Sequence, residues 1–504
     1  MINTDIDKLT SLETAGQLVM PRIDFGIDGY FEHALRFVEK YGVTGFIIFN
    51  GEIGQVRKSL SDLQNKSGIP LFFGIDAERG LGQIVKGGTR FPFLMSQGAA
   101  NNSVLVKQQA ATTAREMKYC GLNLLFAPVL DINTNPDNPI VNVRAFGDNA
   151  GLVSKLGAAF YNTVKSEGIF ACGKHYPGHG PTNTDSHMEL PVLSKTEQQL
   201  LDLELIPFKE AVDSDIDFIM AAHLSNDIID ESDVPSIISK RLITGLLRDK
   251  LGYNNVVITD SFRMDALRDL GAEEEVAVKS VIAGCDIILD PLDGESLIQK
   301  LADKIDSDQE FSIQAKNSVK RQFELKRDLK PASDNFPDSK QSEELAFKIA
   351  RESVCVVREG VLGSSKIDIN IFDVTDGGDN ICGTFIDRLI SNGVEIGSVN
   401  FISEENTINT EFKYDTVNIV VTNVSAWTSN SVLTDYYHKV LKVISGRENT
   451  NNILISFGSP YVIADYLDYN IVISSFEVIK PCQTAAADIL TGKITSDAVL
   501  PVKL

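Results

Sequence analysis

Val256-Val257-Ile258-Thr259-Asp260 decides the fold: an apolar, strand-forming run drives straight into a carboxylate. A strand buried on one face alternates apolar and polar side chains. A strand that is apolar throughout is buried on both faces, as in a parallel sheet covered by helices. The same pattern recurs along the first two-thirds of the chain, at residues 17–20, 45–50, 71–76, 124–131, 169–175, 218–223, 256–260 and 287–290, with helical stretches between. Eight such runs predict a (β/α)8 TIM barrel. A doubly wound open sheet is the alternative that the strand count leaves. One intervening helix is expected over 196–213, capped by Ser194, with Glu197 at capping-box spacing. In such barrels the active site lies at the C-terminal ends of the strands. Those ends carry Asp76, Asp131, Lys174, His175, His223, Asp260 and Asp290.

The chain has 504 residues, too many for one compact core, so two domains are expected. The pattern breaks at 328–341, where two prolines, Ser and Asp mark a linker. The division read from this is a barrel over 1–328, a linker over 329–341 and a smaller domain over 342–504. In the last, strands at 353–357, 367–372, 417–421, 453–457 and 471–475 alternate with helices near 385–391, 432–444 and 483–490. This predicts an α/β sandwich of flavodoxin-like type. It has no Walker-type loop and no GxGxxG after a strand, so a nucleotide role finds no support.

A net charge of −22 without a Lys/Arg-rich run argues against nucleic-acid binding. The six cysteines are scattered, with neither CxxC spacing nor a disulfide framework. No run is long enough to span a bilayer, and Met1-Ile2-Asn3-Thr4-Asp5-Ile6-Asp7 has no signal-peptide character. A cytoplasmic location without membrane association is the expectation. The sequence carries no signal of oligomeric state.

Chemistry concentrates after the fifth run. Lys174-His175-Tyr176-Pro177-Gly178-His179-Gly180, followed by Asp185-Ser186-His187, places three of the chain's six histidines in a Gly/Pro-rich loop. Such loops on a rigid scaffold are where proton-transfer groups are mounted. With Asp260 they point to an enzyme with a nucleophilic aspartate and a histidine acid/base. The competing readings are structural: Asp260 as a helix N-cap at a strand-to-helix turn, and His187 as a solvated loop histidine. His175, His179, Asp185 and His187 also have crude metal-ligand spacing, but the first run lacks the His-x-His that metal-dependent barrels often use.

The ordered set of segments resembles glycoside hydrolase family 3, and within it the bacterial β-N-acetylglucosaminidases. The matching pieces are Gly74-Ile75-Asp76-Ala77-Glu78, Phe126-Ala127-Pro128-Val129-Leu130-Asp131, Val143-Arg144-Ala145-Phe146-Gly147, the Lys174–Gly180 loop with Asp185-Ser186-His187, and Thr259-Asp260-Ser261-Phe262-Arg263-Met264. Ser456-Phe457-Gly458-Ser459-Pro460-Tyr461 and Leu500-Pro501-Val502 resemble the family's second domain. The resemblance implies a retaining exo-glycosidase that removes terminal β-linked N-acetylglucosamine through a covalent glycosyl-enzyme. Asp260 would be the nucleophile, His187 the general acid/base and Asp185 its orienter. Asp76, Arg144, Lys174, His175, Asp131 and Met264 would bind the sugar. For Asp131 a loop-capping role stands level with that, and His223 reads equally as a pocket or a core residue. No metal or organic cofactor is implied, and the partner is a small N-acetylglucosamine-containing carbohydrate, from a muropeptide or a chitooligosaccharide.

Two departures fall near the pocket rim: Arg79 where relatives often carry Gly or Trp, and Asp290 where an apolar residue is usual. Rival readings are a β-N-acetylglucosaminide phosphorylase, whose histidine acid/base repels phosphate less than a carboxylate would, and a β-glucosidase-type enzyme taking its acid from the second domain, where Glu404 and Glu405 lie. A non-catalytic sugar-binding protein is a further rival; it predicts loss of Asp260 or His187, and both are present.

Overall fold

The computed structural model describes residues 6–182, 190–230, 234–360, 369–375, 382–401, 417–424, 435–446 and 451–504. The described residues fall into two compact units. The first lies within Met1–Arg90, Val106–Ile132 and Val153–Ser342, the second within Phe91–Leu105, Asn133–Leu152 and Glu343–Leu504.

Each of the eight apolar runs supplies one barrel strand. In chain order they are β1 (Val19–Met20 and Arg22–Asp24, either side of Pro21), β2 (Gly45–Phe49), β3 (Phe72–Ile75), β4 (Leu124–Leu125), β5 (Phe170–Tyr176), β6 (Phe218–Ala221), β7 (Val256–Thr259) and β8 (Ile288–Leu289). Neighbours from β1 to β7 pair in parallel in chain order. The ring closes through β8, which pairs in parallel with β1, Val19 opposite Ile288, and meets β7 where Thr259 N–H donates to Ile287 O at 3.0 Å. The first strand runs beyond its apolar stretch, through Asp24. Pro21 has no N–H to give, but its carbonyl accepts from Ile47 N–H at 3.0 Å, so the ladder to β2 continues.

The barrel interior is one buried cluster that includes Met20, Ile47, Phe72, Phe126, Cys172, Phe218, Met220, Val256, Ile258 and Leu289. Within a strand its members are two residues apart, because successive side chains point to opposite faces. Stepping on by two towards the C-terminal end leads from Ile258 to Asp260, from Cys172 to Lys174, and from Phe72 through Gly74 to Asp76. The alternation that packs the interior thus turns these polar ends into the mouth. Gly74 is required there: a Cβ would sit 2.6 Å from Phe126 Cζ and 3.0 Å from Met20 Cε.

The helix expected over 196–213 is two helices, Glu197–Asp202 and Ile206–Asp213. Pro207 lacks the N–H that a continuous helix would need and instead sits in the first turn of the second helix. The cap is Thr196, with Gln199 completing the capping box, rather than Ser194 with Glu197.

The second unit is a three-layer α/β sandwich. Its strands are β9 (Cys355–Arg358), β10 (Ile369–Thr375), β11 (Ser398–Phe401), β12 (Val417–Val424), β13 (Asn451–Gly458) and β14 (Ile471–Ser474). Their order is β9-β14-β13-β12-β10-β11, with only β9 antiparallel. Counted among the parallel strands alone, this is the 2-1-3-4-5 order of a flavodoxin-like sheet. Alternation again sorts the side chains. Ile419, Val421, Ile453, Ile455 and Ile473 pack with the helices Gly383–Ser391 and Lys480–Leu490, while Val420, Leu454 and Val472 pack with Asp435–Ser445. Phe93, Met95, Ala99 and Val143, early in the chain, share a buried cluster with Cys355, Phe476 and Val502 in this unit.

All six cysteines are buried. Among the described residues no helix is long and apolar enough to cross a membrane. Gly74→Ala forces the Phe126 ring and Met20 to shift. Overpacking of this kind costs about 1–3 kcal/mol, measurable by urea unfolding, and Phe126→Leu in the same chain should recover part of the loss.

Candidate active site

The mouth of the barrel is organised around a buried cation. Lys174, 2% exposed at the end of β5, donates to Asp76 Oδ1 at 2.6 Å and pairs with Glu78 Oε1 at 2.7 Å. A buried ammonium is tolerated only when paired, and here it is shared between two carboxylates. Glu78 is as buried as Lys174, whereas the Asp76 side chain keeps 30% of its surface open. Asp76 is therefore the more accessible of the two carboxylates.

Asp131 ties down the loop after β5. It is fully buried, and its Oδ2 lies 2.7 Å from His175 Nδ1. Its oxygens also accept the backbone N–H groups of His175 at 3.3 Å and His179 at 2.7 Å. Burial pushes the carboxyl upward, but the His175 and His179 contacts outweigh it and hold Asp131 below the ordinary carboxylate value. With its proton on Nδ1, His175 presents Nε2 as the other ring nitrogen. The Lys174–His175 peptide is cis. His179 stays inside the loop: Nδ1 lies 2.7 Å from Thr182 Oγ1, and Thr182 donates to His179 O at 2.9 Å.

Asp260 sits one residue beyond β7, partly exposed, with its N–H donating to Ala221 O at 2.9 Å. Its Oδ1 accepts Ser261 N–H at 2.8 Å; among the described residues nothing takes up Oδ2. Desolvation raises its pKa. His175 and His223, then the Ser261 amide and Lys174, more than reverse that, so the carboxylate is held below its ordinary value. The result is an ionised carboxylate with one oxygen anchored and one open, the state a nucleophile needs. His223 is wholly buried, and its Nε2 lies 2.8 Å from Ser261 O, an acceptor.

The structure thus brings Asp76, Asp131, Lys174, His175 and Asp260 together in the first unit. Met264 lies on the segment after Asp260, nearly buried, its N–H donating to Ser261 O at 3.3 Å. Arg144 belongs to the second unit, where it is buried and donates to Ile140 O at 3.1 Å. Asp185 and His187 lie outside the described residues, as do Glu404 and Glu405. Neither departure is exposed at the rim: Arg79 is 9% exposed and Asp290 fully buried. Sequence reasoning passed over Glu78 and Ser261 as site residues. For Glu78 the signal was present, a second carboxylate two positions beyond Asp76 just after a strand.

Burial depresses the His179 pKa from 6.5 to about 4. The unfolded chain therefore takes up a proton that the folded state refuses. Stability from this residue is whole above pH 6.5 and is lost as pH falls towards about 4. His179→Asn should flatten the decline by on the order of 3 kcal/mol at its full extent, read by urea unfolding at pH 7, 5.5 and 4.

Comparison with known proteins places the chain in a family. Residues 11–325 match the model of the glycosyl hydrolase family 3 N terminal domain. Beta-hexosaminidase A of Pseudoalteromonas piscicida is 30% identical over 331 residues, 59% of this chain and 55% of that protein. A beta-N-acetylglucosaminidase/beta-glucosidase of Cellulomonas fimi is 28% identical over 49% of this chain and 45% of its own length. The chain thus spans about half the length of these two relatives. Among solved structures, a glycoside hydrolase family 3 beta-N-acetylglucosaminidase from Paenibacillus superposes with a TM-score of 0.86 at 28% identity, covering 98% of this chain and 99% of that one. With the family domain matched over most of a closed barrel, and with the carboxylates, lysine and histidine gathered at its mouth, the chain belongs to glycosyl hydrolase family 3.

Proposed function

We propose that the protein is a retaining, exo-acting β-N-acetylglucosaminidase that releases terminal β-linked N-acetylglucosamine from muropeptide or chitooligosaccharide substrates. The observation that carries this is Asp260, held ionised at the barrel mouth with one oxygen fixed by Ser261 N–H and the other open. The beta-hexosaminidase and beta-N-acetylglucosaminidase names of its relatives support the choice of sugar.

In the first step Asp260 attacks the anomeric carbon while His187 gives its proton to the leaving oxygen, forming a glycosyl-enzyme ester. In the second, His187 takes a proton from water, which displaces Asp260 and restores both groups. Asp185 would fix the histidine tautomer, as a carboxylate does in a Ser-His-Asp triad. Asp76, Lys174, His175 and Met264 of the first unit are the proposed sugar contacts, while Asp131, its oxygens taken by His175 and His179, is given the loop-capping role. Charged groups such as the Lys174–Asp76 pair form strong hydrogen bonds to hydroxyls. Charge on an oxocarbenium-like transition state would be met by the Asp260 carboxylate. No step calls for a metal or organic cofactor.

Nitrophenol release from the β-N-acetylglucosaminide and the β-glucoside, measured side by side, tests the sugar. Turnover of the first at least tenfold above the second is expected; the reverse would replace this reading with a glucosidase. A second comparison tests the acid. His187→Ala should lose about 10²–10⁴-fold on a disaccharide, the range of general acid catalysis, yet far less on an activated nitrophenyl substrate. Equal losses on both would remove His187 from the role.

A further inference from the structure

Asp290, which the mechanism does not use, is the most heavily engaged carboxylate at the mouth. It is fully buried one residue past β8, with φ of 55°, a left-handed conformation that few residues other than glycine, asparagine and aspartate adopt readily. Arg22 binds it bidentately, Nε to Oδ1 at 2.7 Å and Nη2 to Oδ2 at 2.5 Å. Arg263 Nε donates to Oδ1 at 3.1 Å, and Ser261 Oγ donates to Oδ2 at 2.9 Å. Ser261 is in turn held on every polar atom. Its N–H reaches Asp260 Oδ1 at 2.8 Å, its carbonyl faces His223 Nε2 at 2.8 Å, and its hydroxyl, besides donating to Asp290, accepts Arg263 N–H at 3.3 Å. One covalent neighbour therefore connects the Arg22–Asp290 ion pair to the carboxylate of Asp260.

An ion pair whose carboxylate is fully buried and whose guanidinium is only partly exposed is a poor device for stability alone. Desolvation consumes most of the Coulombic gain, and well-packed apolar replacements are often neutral or stabilising. What such a pair provides is fixed direction, since a bidentate guanidinium–carboxylate contact has one geometry.

We propose that Asp290 and Arg22 form a positioning pair that acts through Ser261 to hold the nucleophile Asp260 in its reactive orientation. The inference rests on Asp260 being the nucleophile. Other charges also face these groups. Lys174, His175, His179 and His223 surround Asp260, and Arg263 shares Asp290. His33, Arg36 and Glu295 line a cavity of about 180 Å³ beside Arg22 and Arg263. With those groups unchanged, loosening Ser261 weakens its backbone hydrogen bond to the carboxylate and lets the protonated form of Asp260 persist to higher pH.

The test replaces the pair as a unit, Arg22→Met with Asp290→Asn, which removes both charges and keeps at 290 a residue that tolerates the left-handed φ. The full chain is assayed on nitrophenyl β-N-acetylglucosaminide. The double variant is expected to melt within a few degrees of the parent and to keep KM within about twofold. Its kcat should fall about 10–100-fold, and the acid limb of its kcat/KM profile should move up by about half a pH unit or more. Ser261→Ala, which keeps the amide but removes the hydroxyl link, should shift the limb in the same direction, and Ser261→Thr should restore it. A folded double variant with unchanged kcat and acid limb overturns the proposal, as does a fall in kcat with the limb unmoved. If the double variant does not fold, Ser261→Ala decides alone by the same limb. Covalent labelling of the parent chain at Asp260 is checked first: no label there defeats the catalytic reading itself, whereas a label with an unmoved limb defeats only the positioning pair.

Discussion

Side chains alternate across a β-strand, and in a closed barrel one of the two faces has only the interior to occupy. The rest of this structure depends on that constraint. Val256 and Ile258, Phe218 and Met220, and Phe72 pack into one another across the barrel axis. Further along the barrel strands on the same faces, Asp260 and Asp76 keep part of their surface open, and Lys174, two residues beyond Cys172, is buried between Asp76 and Glu78. The apolar packing is thus also the aiming mechanism. Gly74 makes it possible at β3, where the Phe126 ring occupies the space a side chain would take.

Gathering charges at the end of an apolar barrel costs desolvation energy, which the mouth offsets by pairing. Lys174 is shared between Asp76 and Glu78, Asp131 collects the amides of His175 and His179 with the His175 imidazole, and Asp290 collects two guanidiniums and a hydroxyl. Asp260 is the exception. Its low pKa comes mainly from surrounding histidines and one amide, leaving an oxygen without a partner among the described residues. A saturated carboxylate holds structure; one kept ionised by field and left open to a ligand can react.

The barrel was legible because both-face burial writes itself locally, as unbroken runs of Val, Ile, Leu and Phe. The strand-end residues were legible for the same reason, as the first polar residue after each run. What the sequence concealed depends on distant partners or on single backbone groups. Arg22 and Asp290 lie 268 positions apart. Phe93 and Met95 look like any core residues, and only the structure shows that their partners are Cys355 and Phe476. The edge strand Ser398–Phe401 is short, with a polar residue at every second position, so it carries no apolar run to reveal it. The missing N–H of Pro207 was visible in the sequence, but the amphipathic pattern spanning it outweighed the break. Asp185 and His187 were found by motif alone and lie outside the described residues.

Catalysis in this protein depends on Asp260 as a carboxylate that forms a bond to sugar. Incubating the chain with a 5-fluoro-N-acetylglucosaminyl fluoride, which forms the glycosyl-enzyme faster than it is hydrolysed, and mapping the labelled peptide by mass spectrometry tests this directly. One adduct per chain is expected, on the peptide carrying Thr259-Asp260-Ser261, and none in Asp260→Ala. A label on another carboxylate, or turnover of the reagent with no adduct at any time, would contradict it.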